Sequence, residues 1–124
     1  MGFEVKTRDM SPLLTVGVGE VVQGFLTGFA SIETATGYSE IVHITLTKSG
    51  TYGVWDKESD NIVPTLFKKN DKISLFHTVG MNLEAEDVGY EIRLTYEGKK
   101  VNPKTKREYH SYVTEIDRSS NQPL

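Results

Sequence analysis

Five cationic side chains, Lys99, Lys100, Lys104, Lys106 and Arg107, crowd residues 99–107, and tyrosines flank them at Tyr96, Tyr109 and Tyr112. Phosphates are held by Lys and Arg, and unstacked bases by flat aromatic faces, so this combination has the chemistry of a single-strand nucleic-acid site. The competing reading is a solvated hairpin tip, since lysines also keep strand edges soluble. Arg93 adds a cation from the preceding arm, and Trp55, the single tryptophan, and Tyr52 add aromatic faces. A spacing of three puts Tyr52 and Trp55 on opposite faces of a flat strand, so only one faces a binding surface unless Gly53 makes a bulge. The same alternation groups Tyr109 with Ser111 and Val113, and Tyr112 with Thr114 and Ile116. Tyr109, beside the cations, is the favoured contact of that pair. Tyr96 is in phase with Ile92 and Leu94 and reads as core.

The charge pattern sharpens the expectation. The net charge is −3, which argues against a general polyanion binder. Residues 1–89 nevertheless carry seven Lys/Arg against twelve Asp/Glu, and residues 90–124 carry seven against five. The positive charge is local, and local fields steer a polyanion.

Other chemistries find no residues to carry them. There is no cysteine, and His43, His77 and His110 lack the close spacing of metal ligands, so no metal or cofactor is expected. Asp56, Glu58 and Asp60 are spaced by two, but the glycine and distal glutamate of a calcium loop are missing. Gly17, Gly19 and Gly24 do not complete a dinucleotide fingerprint, and no phosphate loop exists. The chain reads as a non-enzyme.

At 124 residues, one domain with one core is expected. It divides into an N-terminal arm (1–16), a β domain (17–117) and a short tail (118–124). No apolar stretch approaches the ~18 residues of a membrane helix. The start lacks the layout of a signal peptide, and Lys6 stands where a myristoylation motif needs Ser or Thr. Residues 19–29 read as one long strand bent at its glycines. Residues 39–48 alternate cleanly, with Val42, Ile44 and Leu46 on one side and Ile41 and His43 on the other. Residues 51–55 form a third strand. Pro64 suits the first turn of a short helix through about Lys69. Residues 72–79 fit either a strand or a loose helical face, and 83–89 read as an acidic surface loop. Residues 90–96 and 109–116 close the chain as a hairpin. The expected fold is all-β with one small helix: a five-stranded OB-type Greek-key barrel, the helix lying between strands three and four. In such a barrel, strands two and three and the one–two and four–five loops make the binding face.

Gly-Glu-Val-Val-Gln-Gly (19–24), Val-Trp (54–55), Arg-Leu-Thr-Tyr-Glu-Gly-Lys-Lys (93–100) and Tyr-His-Ser-Tyr-Val (109–113) follow in an order that resembles the OB-fold single-stranded DNA-binding proteins of bacteriophages. The resemblance spans about residues 17–117 and implies sequence-independent binding of single-stranded DNA in replication or recombination, in the cytoplasm of a host cell. Tyr52, Trp55, Arg93, Lys99, Lys100, Lys104, Lys106, Arg107, Tyr109 and Tyr112 would make the contacts. Replication or recombination proteins and a second copy of the chain are further partners it leaves open. The tail, Asp117 to Leu124, is not the long acidic one with which bacterial-type relatives recruit other proteins. The alternative is a β-barrel module for protein interaction or virion assembly.

Overall fold

The computed structural model describes residues 12–35, 37–56 and 58–120. Its strands are β1 (Leu14–Thr15), β2 (Val21–Thr34), β3 (Gly37–Leu46), β4 (Gly50–Asp56), β5 (Asn61–Phe67), β6 (Lys72–Phe76), β7 (Glu91–Val101) and β8 (Glu108–Asp117). They form two antiparallel sheets, one in the order β6-β3-β2-β7-β8 and one in the order β1-β4-β5.

Alternation fixes the phase of the core strands. Val42, Ile44 and Leu46 of β3 are buried, as their period predicts, against Val22 and Leu26 of β2, Ile73 and Leu75 of β6, and Ile92 and Leu94 of β7. Met81 and Leu83 fill in from the chain after β6. The expected bend in β2 is a register shift between Leu26 and Gly28. Residues 72–79, open between strand and helix from sequence, contain β6.

The edges of the larger sheet, β6 and β8, curl towards each other without forming a ladder. One parallel bridge links Gly80 to Ser111. Beside it the Thr78 hydroxyl donates to the His110 carbonyl (3.0 Å), and that of Thr114 donates to the Met81 carbonyl (2.7 Å). A Cβ on Gly80 would stand 2.3 Å from the His110 carbonyl oxygen, so glycine alone permits the approach.

The helix expected from Pro64 to Lys69 is not formed; Asn61–Phe67 is β5, paired along its length with β4. Ile62, Val63 and Thr65 are β-branched and suit a strand. Pro64 is accommodated because β5 has a neighbour on one side only, leaving the nitrogen that lacks a donor at the open edge. The helical turn among the described residues is a single 3-10 turn, Ala85–Asp87, between β6 and β7. Asp87, expected on an acidic surface, is buried there; it accepts from the Glu84 N–H (2.8 Å) and from Arg118 Nη2 (2.7 Å). Arg118 also lies over the Tyr90 ring, 5.0 Å from its centre, so the start of the expected tail is fastened to the fold. At the other end, Leu13 bridges to Ser74 and Leu14 is buried, which makes the last residues of the expected arm part of the packing. Residues 1–11 and 121–124 lie outside the described residues. No helix among those described is long and apolar enough to cross a membrane.

Candidate nucleic-acid interface

The β7–β8 hairpin builds its cationic tip from turn chemistry. Asn102 Oδ1 accepts the Lys104 N–H (2.9 Å), and the Asn102 main chain bonds both Lys106 and Arg107. Such a side-chain-to-backbone bond mimics a turn, and Lys106 completes it in the left-handed region at φ 60°. Residues 97–108 carry five cations against Glu97 and Glu108. Among the described residues only Lys100 of the five has an ion-pair partner, Glu97 at 3.3 Å.

A bulge sets which way these side chains point. Tyr96 pairs with Tyr112, but the next pairing is Gly98 with Ser111, so Glu97 and Gly98 together oppose one residue. Gly98 sits at φ +93°, where a side chain would be strained. Beyond the bulge Lys99 pairs with His110 and Lys100 with Tyr109. Cross-strand partners share a face, so Lys99, His110, Tyr96 and Tyr112 lie on one side. Lys100, Tyr109, Arg93 and Glu115 lie on the other.

The first of these faces opens onto a groove of about 1070 Å³. Tyr96 is packed between Tyr112 (ring centroids 5.0 Å apart) and His110 (5.7 Å), and its hydroxyl is 2.6 Å from His110 Nδ1. Trp55 and Phe76, half-exposed at 50% and 44%, line another part of the groove. Ile41, Ile62, Leu13 and Val54 give it aliphatic walls, and His43, hydrogen-bonded through Nδ1 to the Ser74 hydroxyl (2.9 Å), adds one polar pair. Among the described residues no lysine or arginine lines the groove itself; the cations stand at its hairpin end. Burial, followed by the neighbouring Tyr96, pushes the Tyr112 phenol up to about 12, so this phenol stays neutral across the physiological range. Aromatic rings with an apolar floor and cations alongside can stack bases and hold phosphates.

The candidate residues fall into three groups. Trp55 and Tyr112 line the groove, and Lys99 extends its face towards the tip that bears Lys104, Lys106 and Arg107. Tyr52 is a correction: it is 6% exposed, its hydroxyl donates to the Val21 carbonyl (2.6 Å), and it packs on Phe67. Burial, then Glu20, raises its pKa, and it has no open face to offer a base. Arg93 and Tyr109 lie on the other face of the hairpin, because alternation directs them away from the groove. Arg93 is held there by a two-pronged pair with Glu115 (3.0 and 2.7 Å), which keeps the Glu115 carboxyl below its ordinary value. Lys100 shares that far side with Tyr109, and Glu97, held low by the Ser111 hydroxyl and then by Lys100, neutralises it.

Sequence alone does not single out Phe76, Tyr96 and His110 as groove residues. Phe76 is in phase with Ser74 on a strand, which the alternation of Ile73 and Leu75 could have shown. Tyr96 does continue the core face of β7, but the hairpin outruns the core, and the same face then lines the groove. Among the described residues no group of three or more His, Asp or Glu could hold a metal. Compared with protein-family models, with curated proteins and with solved structures, the chain matches none.

Proposed function

We propose that this chain binds single-stranded DNA with broad sequence tolerance, shielding strands exposed during replication or recombination. The observation that carries the proposal is the meeting of Trp55, Phe76, Tyr96 and Tyr112 in one open groove at the root of a cation-rich hairpin tip. Strand order supports an OB-type barrel. With β2, β3, β6, β7 and β8 as strands one to five, neighbours run 3-2-1-4-5, the 3-10 turn falls between strands three and four, and the Gly80–Ser111 bridge ties the chain that follows strand three to strand five. Strand three is then β6 rather than residues 51–55, and the β4–β5 hairpin is an insertion that contributes Trp55. Ile41 and His43 on β3, with Ser74 and Phe76 on β6, belong to the strand-two and strand-three face that takes oligonucleotides in such barrels, and the cationic loop is the four–five connection.

Trp55 is the reporter. Titration with a thymidine oligonucleotide should quench its fluorescence, and affinity should fall as salt rises, because bound phosphates displace counterions. Saturable quenching without salt dependence, or no quenching at all, contradicts the proposal; the latter assigns the groove to a polypeptide partner.

A further inference from the structure

Trp55 and Phe76, both half-exposed in the groove, each have an isoleucine as direct cross-strand partner. Trp55 pairs with Ile62 between β4 and β5, and Phe76 pairs with Ile41 between β6 and β3. Direct partners in an antiparallel pair hold their Cβ atoms about 4.5–5.5 Å apart on one face. A base lying flat on Trp55 therefore has its rim against the aliphatic branch of Ile62, whereas Ile41, only 6% exposed, leaves no such surface beside Phe76. Ile62 is itself 45% exposed beside Trp55, so part of its surface remains for a ligand to cover. The hairpin wall is built differently: Tyr96 and Tyr112 partner each other, and His110 partners Lys99.

We infer that the Trp55–Ile62 pair selects thymine through its 5-methyl group. The inference rests on the proposed binding of single strands and narrows its ligand. Hydrogen-bonding edges do not distinguish thymine from uracil; a methyl group does, and it gains only where an apolar surface replaces water. Burying one such carbon is worth about fourfold in affinity, from ~0.8 kcal/mol per methylene-sized group. The hairpin wall, with a hydroxyl and an imidazole at its rim, adds no such preference.

The test compares oligo(dT) with oligo(dU) of equal length, which differ only in that methyl, by Trp55 fluorescence at fixed salt. The full chain should bind oligo(dT) about fourfold more tightly. Ile62→Thr keeps the β-branch and puts a hydroxyl where the ethyl branch stood, and should shrink the ratio while both oligonucleotides still bind. Equal binding of the two by the full chain overturns thymine selection and leaves single-strand binding standing. A ratio unchanged by Ile62→Thr overturns the assignment to the Trp55–Ile62 pair. Failure of both oligonucleotides to bind removes the proposed function, and the inference with it.

Discussion

Tyr96 and Tyr112 face each other across the β7–β8 hairpin, ring centroids 5.0 Å apart and planes inclined at 42°, one pairing before the bulge at Gly98. They mark the point where a core face becomes a groove face. Towards the core their row continues as Leu94 with Thr114 and Ile92 with Ile116; towards the tip it continues as Lys99 with His110. One alternation thus supplies packing at one end and an aromatic groove wall at the other.

Stacking should follow that face. Tyr96→Ala is expected to weaken single-strand binding by ~1–3 kcal/mol, the worth of one aromatic platform. Tyr109→Ala, on the opposite face, should change it by less than about 0.5 kcal/mol, the usual range for surface substitutions. Gel-shift titration of the two variants side by side checks the pair. A larger effect from Tyr109→Ala would mean that the strand runs along the other side of the hairpin.

Salt dependence should report the tip. Changing Lys104, Lys106 and Arg107 together to Ala should reduce the slope of log affinity against log salt by ~0.7 for each phosphate that is no longer neutralised. Arg93→Ala should leave that slope unchanged, because Glu115 already holds its guanidinium. Fluorescence titrations at several salt concentrations measure both.

The core phase is testable by denaturation. Leu46 is fully buried on β3, so Leu46→Ala should destabilise the fold by ~2–5 kcal/mol in urea unfolding. A change within about 0.5 kcal/mol would match a surface site instead.

Alkaline stability should depend on Tyr112. Its folded pKa, about 12, lies above the ordinary 10.0, so in that interval the folded chain keeps a proton that the unfolded chain releases. Its contribution is therefore fully present below pH 10 and is lost as pH rises towards 12. Tyr112→Phe removes this titration, and its melting temperature should fall less steeply over that interval than that of the unmodified chain.

Much of the architecture is legible in local patterns. Val42, Ile44 and Leu46 alternate, and they are core. Tyr52 and Trp55 are three apart, and they take opposite faces, with Trp55 the open one. What local pattern cannot give is the neighbour across the sheet. Arg93 looks like a phosphate ligand until register puts Glu115 beside it, and Pro64 looks like a helix start until β5 proves to be an edge strand. Tyr109 is close to the cations in sequence, yet the pleat turns it away from the groove. Phase places Tyr96 on the core face but does not say where along the strand the core ends. Phe76 enters the groove only because β6 pairs with β3, a pairing between segments far apart in the chain.

The central claim is that bases, and not phosphates alone, are held in the groove, and a single comparison tests it. One oligonucleotide is titrated by gel shift, first alone and then annealed to its complement. A duplex hides its base faces and can use only the cationic tip, whereas a single strand can also stack on Trp55, Phe76, Tyr96 and Tyr112. With one platform worth ~1–3 kcal/mol, the single strand should bind roughly tenfold tighter or more. Equal affinity for the two forms would contradict it.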